Sequence, residues 1–405
     1  MKIALIDNMN NNFFAFSRYL RDLGVDAHLY LIPNSKYDHF LPQADTYQDV
    51  SKMDWIHNFP VNIDAKTNFF LPKQKIRDEF LNRYDLIISC GLSSAFLKKA
   101  GIQSDIIVPY GSDLYDISLM DLDRSIRGIL RNLYWYKLGY YQRKAYKEAR
   151  VVIVNIEHGR YQEAIDRLGI DIINTIIPMI YNKEDIPLER SDKFNFLKDY
   201  DFILFNHARQ EWCTPGTDKG NDRIIKAFAK FIKTTKFKKP LLVLFEYGSD
   251  VECSKRLIKE LNIEDYVKWM PKSYRKEILI GLKSADFATD QIKENMAGTG
   301  STANEALAMG VPLLTHTNGA IDDKSSIFYN APLIDVLTID DIVNVLKDYE
   351  ENPNRYKSIG NRAKEWFDEH LGVGLAKRYK RLFKILIKDK NLTQKDQIVK
   401  DIFEK

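Results

Sequence analysis

The sequence predicts an α/β protein built from two doubly wound, Rossmann-like domains. Short apolar segments alternate with amphipathic helical segments along the chain, which is typical of parallel sheets with helices on both faces. The 405 residues are too many for one ordinary hydrophobic core. A polar stretch at about 181–201 interrupts the alternation, which then begins again. We therefore expect an N-terminal domain over 1–190 and a C-terminal domain over 200–370.

The first half begins with an apolar strand at Lys2–Ile6. A helix at 13–23 follows and ends at Gly24, because glycine readily adopts the left-handed conformation that terminates helices. Further apolar segments predict strands at 26–31, 86–89, 106–108 and 151–154.

The second half repeats this pattern. Its helix at 222–233 places apolar side chains on one side with the 3.6-residue period of a helix. The expected strands are 202–205, 241–245, 267–269, 286–289 and 312–315, and the other helices are 252–261, 276–283 and 302–309. Open α/β sheets bind ligands at the carboxyl ends of their strands. We therefore expect the two domains to face a central cleft.

The composition excludes several classes of protein. The 60 basic and 56 acidic residues give a net charge of +4, too even to indicate nucleic-acid binding. No segment has the length and apolarity of a membrane span or a signal peptide. Three cysteines, far apart and odd in number, do not indicate a disulfide framework, and no histidine spacing indicates a metal site. These features predict a cytoplasmic protein without a metal.

The segment richest in functional signals runs from Gly298 to Pro312, as Gly-Thr-Gly-Ser-Thr-Ala-Asn-Glu-Ala-Leu-Ala-Met-Gly-Val-Pro. It follows a strand and opens a helix, so its glycines and first helical N–H groups suit an anion such as phosphate. An alternative interpretation is purely structural. Thr302 and Glu305 have the spacing of a capping box, which starts a helix without binding any ligand.

A second polar segment, residues 206–222, also lies between a strand and a helix. Arg209 is suited to bidentate contacts with a diphosphate, and Lys219 adds a point charge. The alternative is an ordinary solvated loop in which Asp218 or Asn221 caps the next helix. Because both segments follow strands of one sheet, they are expected to converge at one edge. Together they predict a site for a nucleoside diphosphate.

These two segments resemble the nucleotide-sugar domain of the retaining glycosyltransferases of family 4, also called group 1, which have the GT-B fold. Arg209 and Lys219-Gly220 resemble the basic pair that binds the donor diphosphate in that family. Residues 305–312 resemble its Glu-Ala-x-Ala-x-Gly-x-Pro signature. The resemblance covers about 200–320 well. The first half matches loosely, through residues 108–113 and 176–178.

The resemblance implies the role of each residue. Arg209 and Lys219 would be catalytic, stabilising the departing diphosphate without a metal or cofactor. Gly298, Gly300, Ser301, Thr302 and Glu305 would bind the donor, with Glu305 holding the ribose hydroxyls. A sugar would pass to an acceptor hydroxyl with retention of configuration, and the departing phosphate would help to deprotonate the acceptor. A C-terminal helix at 375–405 would complete the first domain.

Two departures from the family pattern leave alternatives open. Ala297 stands where the family usually has a second glutamate, and Asn8 to Asn12 replace the usual glycine-rich turn near the acceptor. We assign Asn8, Asn12 and Asp113 to the acceptor side, although Asp113 is equally suited to a simple turn. A non-catalytic nucleotide-sugar-binding partner subunit and a GT-B sugar-nucleotide epimerase remain alternatives.

Residues 124–150 combine eight basic residues and six tyrosine or tryptophan residues with a single acid, Glu148. A basic, aromatic helix suits an anionic membrane surface. The alternative is a core-packed helix with a solvated basic face. We expect peripheral association with the inner face of the cell membrane, and an acceptor that is a glycan or lipid-linked saccharide of surface polysaccharide synthesis.

Overall fold

The computed structural model describes residues 1–33, 38–120, 132–155, 159–184, 192–216, 218–294 and 300–404. The chain divides into two compact units. Unit 1 consists of Met1–Tyr181 together with Leu371–Lys405, and unit 2 consists of Asn182–His370. The chain therefore leaves unit 1, builds unit 2 and returns to unit 1.

The sheet of unit 1 has seven parallel strands in the order β3-β2-β1-β4-β5-β6-β7. Helices connect several of these strands, as parallel pairing requires. The strands are β1 (Lys2–Ile6), β2 (Asp26–Leu31), β3 (Ile56–Asn58), β4 (Leu86–Cys90), β5 (Ile106–Val108), β6 (Val151–Val154) and β7 (Ile173–Asn174).

The sheet of unit 2 has six parallel strands in the order β10-β9-β8-β11-β12-β13. The strands are β8 (Phe202–Phe205), β9 (Pro240–Glu246), β10 (Val267–Pro271), β11 (Phe287–Thr289), β12 (Leu313–Thr315) and β13 (Ile334–Asp335). In both sheets the order reverses beside the first strand, at β1/β4 and at β8/β11. These are the topological switch points, where open α/β sheets bind ligands.

The helices lie between the strands as the sequence predicts, and the predicted bounds at 13–23, 222–233, 252–261, 276–283 and 302–309 are met to within two residues. The C-terminal helix predicted at 375–405 is wrong in its extent, because the helix ends at Lys388 and a separate short helix, Gln397–Lys400, follows it. Within the described residues, the helices of unit 1 are α1 (Asn12–Asp22), α2 (Gln74–Phe80), α3 (Ser93–Lys99), α4 (Leu133–Glu148), α5 (Gly159–Leu168), α12 (Val373–Lys388) and α13 (Gln397–Lys400). The helices of unit 2 are α6 (Asn221–Phe231), α7 (Val251–Glu260), α8 (Arg275–Lys283), α9 (Ser301–Met309), α10 (Ile339–Glu351) and α11 (Pro353–His370).

The C-terminal helix α12 is part of the core of unit 1. It packs beside α1, where the rings of Phe16 and Tyr379 lie 4.9 Å apart, edge to face. The same core joins apolar side chains of β1, β4, β5 and β6 to five buried side chains of α12, namely Leu375, Tyr379, Leu382, Phe383 and Leu386. Residues from the two ends of the chain therefore share one hydrophobic core.

The core of unit 2 is formed against α6, whose predicted apolar face is buried as Ile224, Ile225, Phe228 and Phe231. The polar stretch that interrupts the sequence pattern lies in part among the described residues of this unit. Its second half is a 3-10 helix, Asp192–Asp199, whose Phe194 and Leu197 are buried. Phe194 packs against Phe205 of β8. The linker is therefore shorter than the composition indicated.

No helix in the described part of the chain is long and apolar enough to cross a membrane.

Candidate functional site

Two loops meet at the switch point of unit 2. One follows β8 and covers residues 206–220, and the other follows β11 and leads to α9. The Ile292 N–H donates to the Lys219 carbonyl oxygen at 3.0 Å. Gly220 has a φ of +70°, and a Cβ atom there would lie 2.1 Å from the Ile292 carbonyl oxygen. The two loops are thus in backbone contact, as the sequence pattern predicts, and this contact requires glycine at position 220.

Arg209 and Lys219 lie in a cluster of four charged groups. Arg209 Nη1 is 3.0 Å from Glu211 Oε1, and the guanidinium side chain is 49% exposed. Lys219 is partly buried and interacts electrostatically with Asp290, Arg209 and Glu211. Burial lowers the pKa of Lys219; Asp290 and Glu211 oppose this shift, and Arg209 adds to it. The two predicted cations are therefore adjacent, and two carboxylates balance their charge.

Asp290 also caps the N-terminus of α9. Its carboxylate accepts the Gly300 backbone N–H and the Thr302 hydroxyl. Gly300 is the N-cap residue and has no side chain that could cap the helix. The N-terminus of α9, which the sequence pattern assigns to an anion, is thus held by the Asp290 carboxylate. Asp290 also interacts electrostatically with Lys219.

The capping box proposed as the structural alternative for residues 302–305 is wrong. The Thr302 hydroxyl donates to Asp290 rather than accepting a helix N–H. Glu305 is buried, with Oε2 at 2.8 Å from His207 Nε2 and Oε1 at 3.1 Å from Arg275 Nε. Burial opposes the charge of Glu305, but His207 and Arg275 hold its pKa below the ordinary value. It is therefore an ionised, buried carboxylate that two neighbours orient.

Six buried polar side-chain atoms around these strand ends have no hydrogen-bond partner within the described residues. Buried polar atoms in proteins are nearly always hydrogen-bonded to protein or to a bound molecule. Both donors and acceptors are thus present for a polar ligand. The atoms belong to Asn206, His207, Gln210, Thr289, Gln291 and Asn304.

A disulfide between Cys213 and Cys253 fixes the loop after β8 to α7. This corrects the expectation of no disulfide. Spacing could not indicate the pair, because the two cysteines are 40 residues apart and meet only when the loop folds back on α7. The Asp250 carboxylate holds the same loop by accepting the backbone N–H groups of Trp212, Cys213 and Thr214. The loop between Arg209 and Lys219 is therefore anchored at its middle.

Residues 215–366 match the family model described as glycosyl transferases group 1. These residues lie within unit 2 and include Lys219, Asp290 and Glu305. Unit 2 carries a group 1 glycosyltransferase domain. No curated protein sequence matches the chain.

The chain is similar in fold to several solved GT-B proteins. The Anabaena protein HepE, solved in complex with UDP, has a TM-score of 0.57 at 17% identity, covering 95% of this chain and 100% of its own. A glycosyltransferase of Rickettsia africae has a TM-score of 0.58 at 12% identity, covering 96% and 99%. A putative UDP-N-acetylglucosamine 2-epimerase of Listeria monocytogenes has a TM-score of 0.52 at 11% identity, covering 95% and 96%. At these identities the similarity shows the fold, which is GT-B.

Some predicted donor residues of the group 1 domain are not fully described. Gly298, with the neighbouring Ala297, lies outside the described residues. Ser301 is the first residue of α9, and the structure describes only its backbone. Of the predicted donor-side residues, the structure brings together Arg209, Lys219, Gly300 and Thr302, with Asp290 between them. Their partners Asp290, His207 and Arg275 are not among the site residues predicted from the sequence. Asp290 directly follows β11 and His207 is the second residue after β8, and such positions at strand ends line the ligand sites of open α/β sheets.

The predicted acceptor-side asparagines of unit 1 make internal hydrogen bonds. Asn8 Nδ2 donates to Asn11 Oδ1 and to the Phe40 carbonyl oxygen, and Asn8 Oδ1 accepts the Phe14 N–H in the first turn of α1. Asn12 is the first residue of α1 and is buried. The geometry thus shows a structural use for Asn8.

Asp113 is buried just after β5 and closes a turn. Its Oδ1 accepts the backbone N–H groups of Tyr110 and Gly111, each at 2.9 Å, and its Oδ2 accepts the Tyr146 hydroxyl at 3.0 Å. Burial raises the pKa of Asp113, and these hydrogen bonds act in the opposite direction. The geometry therefore agrees with the turn interpretation that the sequence left open.

Asp7 is a titratable group of unit 1 that is not among the site residues predicted from the sequence. It directly follows β1, at the switch point of the sheet, and its φ is +78°. Burial raises the pKa of Asp7 to about 7; the Asn8 N–H lowers it, while Asp64 and Asp113 raise it further. Its Oδ1 accepts the Asn8 N–H at 2.7 Å.

The basic, aromatic segment at 124–150 is described from residue 132 onward, as α4 and the residues that flank it. The inner face of α4 is buried, including Leu138, Gln142 and Tyr146, whereas Tyr136 and Tyr140 are exposed. The acid of the segment, Glu148, pairs with Lys98 of α3. Arg124, Arg127 and Arg131 lie outside the described residues.

Proposed function

We propose that the protein transfers a sugar from a nucleoside-diphosphate sugar to an acceptor hydroxyl, with retention of anomeric configuration. The observation that carries the proposal is the meeting of Arg209 and Lys219 with the N-terminus of α9 in a group 1 domain. Such an arrangement suits a diphosphate, which takes charge from the cations and hydrogen bonds from helix N–H groups. The UDP bound by HepE, of similar fold, supports a uridine nucleotide as the donor.

The chemical step builds negative charge on the β-phosphate as the bond to the sugar breaks. Arg209, Lys219 and the N-terminus of α9 would stabilise this charge, and preorganised groups of this kind usually supply the largest part of catalysis. Asp290 and Glu211 currently neutralise the same cations, so a diphosphate must compete with them. Because burial lowers the pKa of Lys219, a bound anion favours its protonated form and increases its charge.

Glu305 would receive the ribose hydroxyls. A carboxylate is an acceptor only, and both oxygens of Glu305 already accept from His207 and Arg275. These two partners fix the orientation of the carboxylate, and each oxygen retains a lone pair for a hydroxyl. His207 and Arg275 are therefore proposed as positioning residues for the nucleoside.

Mutation of the two cations tests this proposal. We expect Arg209→Ala and Lys219→Ala each to lower kcat/KM for transfer by roughly 10²–10³, the effect of removing a group that stabilises developing charge. Lys259→Ala, at an exposed end of α7, is the matched control and should leave turnover unchanged. A thermal-shift screen of nucleotides first identifies the donor base. Unchanged turnover in both variants would remove the diphosphate assignment.

The fold alone does not separate transfer from epimerisation, because the putative Listeria epimerase shares it. The products do separate them. A transferase releases nucleoside diphosphate in amounts that depend on acceptor, an epimerase converts the nucleotide sugar into its isomer, and a non-catalytic partner subunit does neither. Addition of EDTA tests the expectation that no metal is required.

The acceptor is proposed to be a glycan or lipid-linked saccharide of surface polysaccharide synthesis, reached by a protein bound peripherally to the inner face of the cell membrane. The support is the basic and aromatic character of α4, with exposed Tyr136 and Tyr140 beside Lys137 and Lys144.

A further inference from the structure

A second segment of unit 1 presents exposed apolar side chains next to α4. Phe70 is 43% exposed and Leu71 is 55% exposed, in the loop that follows a 3-10 helix at Lys66–Phe69. On α4, Tyr136 and Tyr140 are 43% and 48% exposed and share one side of the helix, since they are four residues apart. We name these four residues, three of which are aromatic, the aromatic patch.

Ring and cation contacts join the two segments into one surface. The Phe70 ring centroid lies 6.3 Å from that of Tyr134, and Lys137 Nζ lies 5.6 Å from the Phe70 ring. Lys144 Nζ lies 5.8 Å from the Tyr140 ring. The sequence indicated the α4 part of this surface but not the loop, because about sixty residues separate the loop from α4.

Two lysines hold the loop in its exposed conformation. Lys73 Nζ donates to the carbonyl oxygens of Asn68 and Leu71, and Lys99 Nζ donates to that of Phe69. The backbone around Phe70 and Leu71 is therefore fixed from inside the protein while their side chains point outward. Phe69, the neighbouring aromatic residue, is fully buried.

The surroundings of the aromatic patch are positively charged. Burial and then the charge of Lys99 lower the pKa of Lys73 to about 8, and burial and then Lys137 lower that of Lys99. These lysines are thus close enough to repel one another. Lys66 lies over Trp135 at 4.9 Å. Among the described residues, the exposed Asp64 is an acid that acts on this region: burial and then its charge raise the pKa of Tyr134 to about 12.

We propose that the aromatic patch docks unit 1 on an anionic lipid bilayer, with Phe70 and Leu71 entering the interfacial region and the lysines facing the headgroups. Phenylalanine and leucine gain by leaving water, tyrosine favours the interface, and lysine is attracted to anionic lipid. Exposed phenylalanine, leucine and tyrosine side chains set among lysines therefore match a charged bilayer better than they match solvent. The inference deepens the proposed function, because a lipid-linked acceptor would be met at this surface.

The test is co-sedimentation of the full-length protein with vesicles of phosphatidylcholine alone or mixed with phosphatidylglycerol. We expect binding to the mixed vesicles that weakens as salt is added. The double variant Phe70→Ser, Leu71→Ser should bind the mixed vesicles at least roughly tenfold more weakly than the unmodified protein. Leu81→Ser, Ile398→Ser is the matched control, because these side chains are 42% and 53% exposed elsewhere on unit 1, and it should bind like the unmodified protein.

A charge-reversal variant, Lys137→Glu with Lys144→Glu, should lose binding to the mixed vesicles, whereas Lys384→Glu with Lys388→Glu on α12 should not. Unchanged circular dichroism and melting of each variant establish that it is folded. Absence of binding to mixed vesicles, or full binding by the Phe70, Leu71 variant, overturns the proposal. Binding of the protein to an acidic protein but not to the mixed vesicles also overturns the proposal. Because vesicle binding needs no turnover, an inactive protein that binds would count against the transferase and not against docking.

Discussion

Among single residues, Asp7 combines an unusual backbone conformation with an unusual charge state. A φ of +78° is uncommon for a residue with a side chain, and it stores strain. The second switch-point strand, β4, is followed by Gly91, where a Cβ atom would lie 3.0 Å from Asp7 Oδ2. Strain and a shifted pKa together at a switch point are typical of functional sites.

The raised pKa of Asp7 predicts that its charge opposes folding. The native pKa of about 7 lies above the ordinary 3.8, so the unfolded state loses the proton first. Stability that is present below about pH 4 is therefore lost as the pH rises through 7. We expect Asp7→Asn to be as stable as the unmodified protein at pH 4, and more stable by roughly 1–2 kcal/mol at pH 8 after allowance for partial exposure. Chemical denaturation at several pH values measures this, and a constant difference would contradict it.

The site residues show what the sequence reveals at this scale. Arg209 and Lys219 could be predicted because each belongs to a loop after a strand of one sheet, and parallel strands bring such loops together. The partners of Glu305 could not, because His207 and Arg275 lie on separate elements and only packing sets their distances. Thr302 and Glu305 fit a local capping rule, yet a carboxylate from another strand satisfied the helix start instead.

At the scale of elements, the loop from residue 206 to 220 is held at three places. Gly220 contacts the loop after β11, Asp250 and the disulfide hold its middle, and the Gln210 N–H donates to the Tyr247 carbonyl oxygen at 2.7 Å. A loop fixed in this way presents Arg209 and Lys219 without ordering them anew on binding, which lowers the entropic cost of ligand capture.

Gly220 provides a sharp test of the contact between the two loops. Alanine would place a Cβ atom 2.1 Å from the Ile292 carbonyl oxygen, so the loops must separate. We expect Gly220→Ala to weaken UDP binding at least tenfold, that is by about 1.4 kcal/mol or more. Gly216→Ala is the matched control in the same loop, with a φ of +86° and no atom within 4 Å. It should cost only the strain of about 1–2 kcal/mol in stability. Titration calorimetry with UDP compares them, and equal affinities would contradict the contact.

The disulfide should stabilise unit 2. Closing a loop of 40 residues restricts the unfolded chain by about 4 kcal/mol in the chain-entropy account, and measured effects are commonly about 2–4 kcal/mol. We expect Cys213→Ser, or reduction with dithiothreitol, to lower the free energy of unfolding of unit 2 by that amount. The melting temperature of unit 2 should fall as a result, and that of unit 1 should not change. Cys90→Ser, at the buried free thiol of unit 1, is the control, and it should change the melting transition of unit 1 rather than that of unit 2. An unchanged melting curve after full reduction would show that the bond adds no stability.

The sequence predicts apolar central strands better than polar edge strands. Strands with continuous apolar runs, such as Lys2–Ile6 and Phe202–Phe205, were predicted at their observed bounds. The strands β3, β7 and β13 have two or three residues each, lie toward the sheet margins and include polar side chains. They have no apolar run that the sequence pattern could reveal, because pairing with a neighbouring strand rather than their own composition defines them.

At the scale of the whole molecule, unit 1 is built from two distant parts of the chain. A protein ending at His370 would lack five core side chains of α12, and each contributes about 1.5–3 kcal/mol when buried. This sum is comparable with the whole stability of a typical domain. We expect unit 1 of the truncated chain to be unfolded while unit 2 remains folded and binds UDP.

Calorimetry and limited proteolysis distinguish these outcomes. The fragment 182–370 is the companion to the truncation, since its residues form one compact unit with its own core. It should melt cooperatively and bind UDP with the affinity of the full chain. Retention of both melting transitions in the chain that ends at His370 would show that α12 is dispensable to unit 1.

The return of α12 to unit 1 also sets the order in which the nascent chain can fold on the ribosome. Domains generally fold as units during synthesis, the first-made before the last. Here the first-made 181 residues must wait for side chains near the C-terminus, such as Leu382 and Phe383, before their core closes. Unit 2, which is continuous in sequence, can fold earlier. The half synthesised first is therefore completed last, and until then its apolar side chains lack the partners that α12 supplies.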